Sequence, residues 1–289
     1  MISPELLLQN SVDGIFLGLF YSLVAMGLAL IFGVMDIINF AHGDLLMIAA
    51  YFVWLTSVDL SVDPTVTALL LIPLFFIIGI GIFFGMIQPV LGKEPLIQIA
   101  VTVGLGLILQ NIALAMFKAQ PKAVPYSIFN FSYSLGPLTI YASKLFIAVI
   151  SIVTMYALNV FLNKTYIGLA MRSTTDNREV AQLMGINTRM LYAVTFGLGV
   201  ALIALSSSLW MTFGQVQPYL GTSFSLISWV IVAMGGLGGI TGVVYSGLIV
   251  GVAESLGSLF LTPSARMAVV YIIFFLVLWF RPRGLFGRR

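Results

Sequence analysis

The chain has 289 residues, of which 60% are hydrophobic and only 8% charged, with a formal charge of +3, a single histidine and no cysteine; its mean hydropathy is +1.11. A soluble domain carries roughly 25% charged residues, so a surface wetted on all sides is excluded, and the lack of cysteine excludes disulfide frameworks and thiolate chemistry. Apolar runs continuous over about 20 residues, without the alternation over about 10 expected of barrel strands, exclude a transmembrane barrel.

What remains is an all-α, polytopic transmembrane helical bundle of about eight membrane segments, some broken, forming one transmembrane domain over 1–289. The opening Met1-Ile2-Ser3-Pro4-Glu5 has no basic stretch, so a cleaved signal is not expected, and no cysteine is available for lipidation. The first span runs from about Asp13 to Met35 and the second from about Phe40 to Val58. Between them lies Asp36-Ile37-Ile38-Asn39-Phe40-Ala41-His42-Gly43-Asp44, flanked by the uncharged stretches Gly14 to Met35 and Leu45 to Val58. Polar side chains in such surroundings face protein or a water-filled path, and non-helical backbone is tolerated at membrane depth only under the same condition. The stretch is therefore expected to be a helix break lining a transport route, shaped by Asp36, Asn39, His42, Gly43 and Asp44. His42 has no second histidine or cysteine with which to share a metal, and no metal is expected. Its expected role is to hydrogen-bond Asn39, Asp44 or backbone exposed at the break. Asp44, just past Gly43, suits the first turn of the second helix.

Asp59 to Pro64 makes a polar turn, and the third span follows from Thr65 to Ile87. Gln88 to Pro95 closes it, and Leu96 to Phe117 is the fourth span. The connection Lys118 to Ser143 holds Pro121, Pro125 and Pro137; its alternating Phe129-Asn130-Phe131-Ser132-Tyr133 suggests a small hairpin outside the bilayer. A fifth span, Leu145 to Leu162, leads into the most polar segment, about 163–190. There Asp176-Asn177-Arg178-Glu179 has the form of a capping box, with Asp176 as N-cap and Glu179 at the third position, and Gly185 is a stop signal. Val180, Leu183 and Met184 share a face. A helix of about eight residues is unstable alone in water, so it must pack on its own spans or on a partner.

The sixth span is Met190 to Phe213. A continuous helix from Phe224 to Leu261 would be roughly 57 Å long, about twice the ~30 Å hydrocarbon core, so the chain is expected to fold back at Gly235-Gly236-Leu237-Gly238-Gly239 as two helices. Glu254, embedded in the second, is expected to hydrogen-bond a helix break. The last span, Ala268 to Phe280, ends at Arg281-Pro282-Arg283-Gly284. The pairs Gly14/Gly18, Gly81/Gly85 and Gly247/Gly251 form small-xxx-small faces, expected to pack within one subunit. Placing Lys93, Lys164, Arg172, Arg178, Arg189, Arg281, Arg283, Arg288 and Arg289 in the cytoplasm leaves only Lys118, Lys122, Lys144 and Arg266 outside, which puts the N-terminus outside and the C-terminus inside.

Enzyme chemistry finds no foothold. Gly92-Lys93 is followed by Glu94, which cannot supply the magnesium-ligating hydroxyl of a phosphate-binding loop. The glycines at 235–239 lack the strand and acid of a dinucleotide fold, and no serine sits in a G-x-S-x-G setting. No cofactor is expected.

Gly33-Val34-Met35-Asp36-Ile37-Ile38-Asn39-Phe40-Ala41-His42-Gly43-Asp44 resembles the signature of inner-membrane permeases of branched-chain amino acid ABC importers (LivH-type). So do Ala181-Gln182-Leu183-Met184-Gly185-Ile186-Asn187, Gly235-Gly236-Leu237-Gly238 and Arg281-Pro282-Arg283-Gly284-Leu285-Phe286-Gly287, in that order over nearly the whole chain. Ser173 and Thr174 stand where alanine-like residues are more usual in the family. The resemblance implies a multi-pass subunit of a prokaryotic inner membrane, working beside a second permease chain (LivM-type, or a second copy), two cytoplasmic ATP-binding subunits and a periplasmic solute-binding protein, with no nucleic acid. Branched-chain or other neutral amino acids are the implied cargo; related permeases for urea or short amides look similar. An ion-coupled secondary transporter, with Asp36, Asp44 or Glu254 as proton or sodium site, is the rival from another class. By the same resemblance, Asp176, Asn177, Arg178, Glu179, Val180, Leu183, Met184 and Gly185 form the handle that docks in an ATPase groove. The break at Asp36–Asp44 and the glycines Gly235, Gly236, Gly238 and Gly239 would face each other across the route, as broken helices do in the two halves of a transporter.

Overall fold

The computed structural model describes residues 4–129, 131–136, 138–260 and 266–287. The helices are α1 (Pro4–Met35), α2 (His42–Leu60), α3 (Pro64–Ile82), α4 (Pro95–Phe117), α5 (Ala142–Lys164), α6 (Tyr166–Asp176), α7 (Arg178–Leu183), α8 (Thr188–Trp210), α9 (Leu220–Gly235), α10 (Ile240–Phe260) and α11 (Arg266–Phe280). A π-helical turn, Phe83–Ile87, and a 3-10 turn, Gln88–Val90, carry α3 onward. Among the described residues seven helices are long and apolar enough to cross a membrane, namely α1, α2, α3 with its continuation, α4, α5, α8 and α10; α9 and α11 are shorter apolar helices. The polytopic helical bundle read from the sequence is therefore what the chain forms.

Centre and periphery follow from which helices are apolar on all sides. In α1, 78% of the most apolar window is buried, against 22% in α4. A helix that is hydrophobic all round belongs in the interior or against lipid; α1 and α8 take the interior, while α4, α5 and α11 turn apolar residues outward. The packing is reciprocal. α1 lies along α10 and α3 along α8, while α1 and α8 touch at the centre; α2 and α9 pack against each other, α2 also against α8 and α9 also against α1. The triplets α1–α2–α3 and α8–α9–α10 thus correspond, and in each the middle helix begins after a non-helical stretch. Since α1 and α8 run in opposite directions, the relation is an inverted repeat of the transporter type.

Close approach of α1 and α10 depends on glycine. A Cβ at Gly14 would stand 2.7 Å from the Cα of Val252, and one at Gly18 2.7 Å from the Cα of Leu248. The small-xxx-small faces of Gly14/Gly18 and Gly247/Gly251 therefore mate with each other inside this chain. Gly81 and Gly85 do not follow that expectation, because a Cβ at either meets nothing within 4 Å.

The bundle has two distinct ends. At one, α1 begins: Gln9 bonds the backbone of Thr139 both ways at 2.9 Å, and Lys144 pairs with Asp13 at 2.8 Å. Here β2 (Ser132–Leu135) and β3 (Leu138–Tyr141) form an antiparallel hairpin in register Ser132↔Tyr141. The hairpin lies where the sequence suggested, but its strands start at Ser132 instead of Phe129; Asn130 and Pro137 fall outside the described residues. β1 (Lys122–Ala123) pairs with β4 (Gln215–Val216), tying this loop to the approach of α9. The opposite end collects the close of α1, α6, α7, the α9–α10 turn and the C-terminal tail. Lys93, Lys164, Arg172, Arg178, Arg189, Arg281 and Arg283 are at the α7 end, and Lys118, Lys122, Lys144 and Arg266 at the hairpin end, while Arg288 and Arg289 fall outside the described residues.

Candidate functional site

The break after α1 is a tight reversal. Asp36 takes a left-handed conformation (φ 52°), which aspartate tolerates better than most side chains, and its N–H closes the last turn of α1 on Phe32 O at 2.8 Å. The chain then runs back along α1 as far as His42, whose Nε2 lies 2.9 Å from Val24 O, deep in that helix. Buried backbone outside a helix must find partners elsewhere, and here two other helices provide them. From α4, Gln98 Oε1 accepts from Ile38 N (3.3 Å) and Thr102 Oγ1 from Phe40 N (3.2 Å). From α9, Ser225 Oγ accepts from Gly43 N and donates to Phe40 O, both at 2.8 Å. Asn39 Oδ1 takes the N–H of Ala41 at 3.1 Å.

The residues supplying these bonds were not singled out in the sequence. Gln98, Thr102, Gly106 and Gln110 recur every fourth residue and so share one face of α4, which is the face turned to the break. That spacing of polar and small residues in an otherwise apolar span was the available signal. Ser225 and Thr222 had no comparable signal.

The predicted site residues divide into two groups. Asn39 and His42 are fully buried, and Asp44 is 4% exposed; Asp36 is exposed at the α7 end. Of the partners expected for His42, neither Asn39 nor Asp44 is used; it bonds backbone, the carbonyl of Val24 within α1, which the reversal at Asp36 brings to the start of α2. At Gly43 a Cβ would collide with Gly221 O and stand 2.5 Å from Ser225 N, so the N-termini of α2 and α9 abut. The Asp44 carboxylate fills space left by two further glycines: a Cβ at Gly106 of α4 or at Gly221 of α9 would strike its oxygens. Gln110 Nε2 donates to Asp44 Oδ1 at 2.9 Å and to Thr222 Oγ1 at 3.0 Å.

The glycine cluster does fold the chain back between α9 and α10, with Gly236 at φ 96°. It sits at the α7 end. Gly238 meets Gly33, at whose position a Cβ would lie 2.8 Å from Gly238 Cα, while His42–Asp44 meet the start of α9. The tail closes over the turn: Leu285 N donates to Met234 O (2.7 Å) and Phe286 N to Gly235 O (3.2 Å), satisfying carbonyls that the end of α9 leaves free. Phe286 stacks on Tyr245 with centroids 5.1 Å apart.

At α7 the expected capping box is not formed. Asp176 still belongs to α6, and Asn177, extended at φ −156° and ψ 108°, separates the helices. It is Asn177 Oδ1 that accepts from Glu179 N (3.0 Å) and Val180 N (3.1 Å). α7 is six residues long, shorter than the eight or so expected. Gly185 ends it as anticipated, at φ 84°, with Gly185 N on Gln182 O and Ile186 N on Ala181 O. Ala181 is buried, whereas Leu183 is 86% and Met184 79% exposed and Val180 is exposed beside them. Between α6 and α7 opens a cavity of about 440 Å³ lined by Tyr166, Leu169, Ser173, Asn177, Val180 and Met184, among others. Thr175 Oγ1 reaches Gly33 O at 3.1 Å and links α6 to the end of α1.

Glu254 also departs from expectation. Among the described residues its partners are side chains: Tyr21 OH donates to it at 2.9 Å, and Arg266 Nε stands 3.4 Å away. Among the described residues no group of three or more His, Asp or Glu is placed to hold a metal.

A family profile described as branched-chain amino acid transport system / permease component matches residues 10–278. The high-affinity branched-chain amino acid transport system permease protein LivH of Salmonella typhimurium is 32% identical over 295 residues, covering 97% of this chain and 96% of that one. BraD of Pseudomonas aeruginosa, which carries the same description, is 30% identical with the same coverage. A probable LivH of Methanocaldococcus jannaschii is 26% identical over 81% of this chain and 76% of its own. Among solved structures, PsaBC from Streptococcus pneumoniae in complex with Fab superposes with a TM-score of 0.50 at 13% identity, covering 95% of this chain and 93% of that one, a likeness of fold alone.

Proposed function

As this chain belongs to the family of branched-chain amino acid transport permease components, we propose that it is the membrane subunit of an ATP-driven importer that moves branched-chain or other neutral amino acids. It works beside a second permease chain, receives solute from a periplasmic binding protein at the hairpin end, and leaves ATP hydrolysis to two cytoplasmic subunits at the α7 end. It is not itself an enzyme. The basic residues gathered at the α7 end support that orientation in the inner membrane.

One observation carries the reading. α7 is capped at both ends yet turns Val180, Leu183 and Met184 to the outside next to a cavity. A six-residue helix has no stability of its own, and exposed leucine and methionine are worth keeping where another protein covers them. An ATPase groove is the occupant this family membership suggests. Movement there has a path inward, through Thr175 to Gly33 and on to Gly238 and the tail. The proposed route runs past His42–Asp44, where α2 and α9 begin.

The test is transport in proteoliposomes by the complex captured through a tag on this chain. Leucine uptake that needs ATP and is blocked by vanadate is the expected result. Uptake that follows a proton gradient and ignores ATP would replace this reading with an ion-coupled one, and uptake of urea but not leucine would replace the cargo.

A further inference from the structure

We propose that Asp44, with Gln110 held beside it by Thr222, forms a subsite for the ammonium group of the amino acid as it passes between α4 and α9. The inference rests on the amino acid reading above and deepens it, since neither the family resemblance nor the relatives assign a role to Gln110 or Thr222.

The argument begins with charge. Asp44 is a nearly fully buried acid between apolar helices, a position that normally demands a cationic partner or a wet cavity. Among the described residues the ion pairs are Lys144–Asp13 and Arg266–Glu254, and neither involves it. A carboxylate has room for about four hydrogen bonds, and Gln110 provides one. A carboxylate only accepts, so the nitrogen of the Gln110 amide must be the atom facing it. That nitrogen's hydrogens go to Asp44 and Thr222. The carboxylate thus keeps acceptor capacity that the chain does not fill, the complement of a three-donor ammonium.

Position agrees. Glycine at both 106 and 221 is what lets the carboxylate sit at this junction. Beside it Gln110 is half-buried and Thr222 exposed, and their sequence neighbours Asn111 and Ser223 are exposed on α4 and α9. A patch of amides and hydroxyls so placed is poorly suited to acyl chains and well suited to a watery path.

The cysteine-free sequence makes the test direct. Thr222→Cys places the only thiol of the chain beside Asp44. In the assembled transporter in vesicles, its modification is followed by mass spectrometry of this chain. The thiol should react at least threefold faster with a cationic methanethiosulfonate than with an anionic one. Leucine and isoamylamine, which carry the ammonium, should slow the reaction severalfold, and 4-methylpentanoate, which lacks it, should not. Asp44→Asn in the same background should abolish both the charge preference and the protection. Gln110→Ala, which leaves the buried carboxylate in place, should weaken protection and keep the charge preference. A thiol that water-soluble reagents cannot reach would mean that the patch is covered by lipid or by the second permease chain, and would overturn the proposal. So would protection by 4-methylpentanoate equal to that by isoamylamine. If uptake of leucine by the unmodified transporter is ATP-driven while Thr222→Cys shows no protection, the subsite fails and the function stands; if uptake itself fails, the function reading is what falls.

Discussion

The junction of α2 with α9 and the short helix α7 both interrupt apolar spans with polar residues, yet they are built in opposite ways. At the junction, backbone groups are buried and bonded within the chain: Ile38, Phe40, Ala41 and Gly43 all give their N–H groups to side chains. At α7, the backbone ends are satisfied locally and apolar side chains are left outside. A buried polar junction constrains shape, because every unsatisfied group inside is penalised. An exposed apolar helix constrains nothing until something covers it. The first is therefore the fixed element and the second the one that answers to a partner.

The sharpest way to break that contrast is to overfill the junction. Gly43→Val would drive a branched side chain into Gly221 O and the backbone of Ser225. Overpacking typically costs about 1–3 kcal/mol, and here the nearest obstacles are backbone atoms of α9, which cannot rotate away, so the value is expected at or above the top of that range. Loss of monodisperse protein on extraction, or a large fall in melting temperature, is the expected readout; wild-type behaviour would show that α2 and α9 do not abut.

A smaller effect is expected from Ser225→Ala, which removes the acceptor of Gly43 N and the donor to Phe40 O together. Leaving a buried donor unsatisfied costs roughly 1–3 kcal/mol. Ser228→Ala, one turn further on and with no hydrogen-bond partner for its Oγ among the described residues, is the control. Equal melting temperatures for the two variants would remove Ser225 from the junction's scaffold.

At α7 the expected sign is different. Leu183→Glu combined with Met184→Glu should leave the melting temperature within about a degree, since surface changes away from packed features usually stay within ±0.5 kcal/mol. Retention of the ATPase subunits during purification should fall about tenfold, or about 1.4 kcal/mol. Unchanged co-purification would end the docking proposal, whereas a fall in melting temperature would show that these side chains are packed after all.

Most of the bundle was legible in the sequence because long apolar runs admit few alternatives in a membrane, and the reversal at Asp36–Asp44 stood out as polar residues in an apolar setting. Most helix ends came within a few residues, with α9 starting at Leu220 where the apolar run had suggested Phe224, but α1 starts at Pro4, well before the expected Asp13. The partners of the break were not legible, because Gln98, Thr102, Gln110 and Ser225 reach it across some 60 to 185 positions of chain, and no local pattern encodes such a distance. The glycine cluster divides in the same way: its fold-back is local and readable, but its meeting with Gly33 is tertiary. Glu254 shows the limit most plainly, since nothing near it in sequence announces Tyr21.

The last test is the smallest and separates sequence logic from structure at one position. Asp176-Asn177-Arg178-Glu179 offers two adjacent residues, either of which can cap a helix, and the pattern alone favours Asp176 because Glu179 then falls at the third position. The structure gives the role to Asn177, whose extended backbone leaves its side chain facing two free N–H groups. Replacing an N-cap asparagine with alanine costs about 0.5–2 kcal/mol of local helix stability. Asn177→Ala should therefore speed amide hydrogen exchange across 178–184 by about three- to thirtyfold, with exchange in α8 unchanged, while Asp176→Ala should leave 178–184 near wild type. The reverse ranking would restore the capping box. Because α7 has only six residues, loss of its cap should also weaken ATPase retention, though less than loss of Leu183 and Met184, since the apolar contact surface would remain and only its preorganisation would be spent.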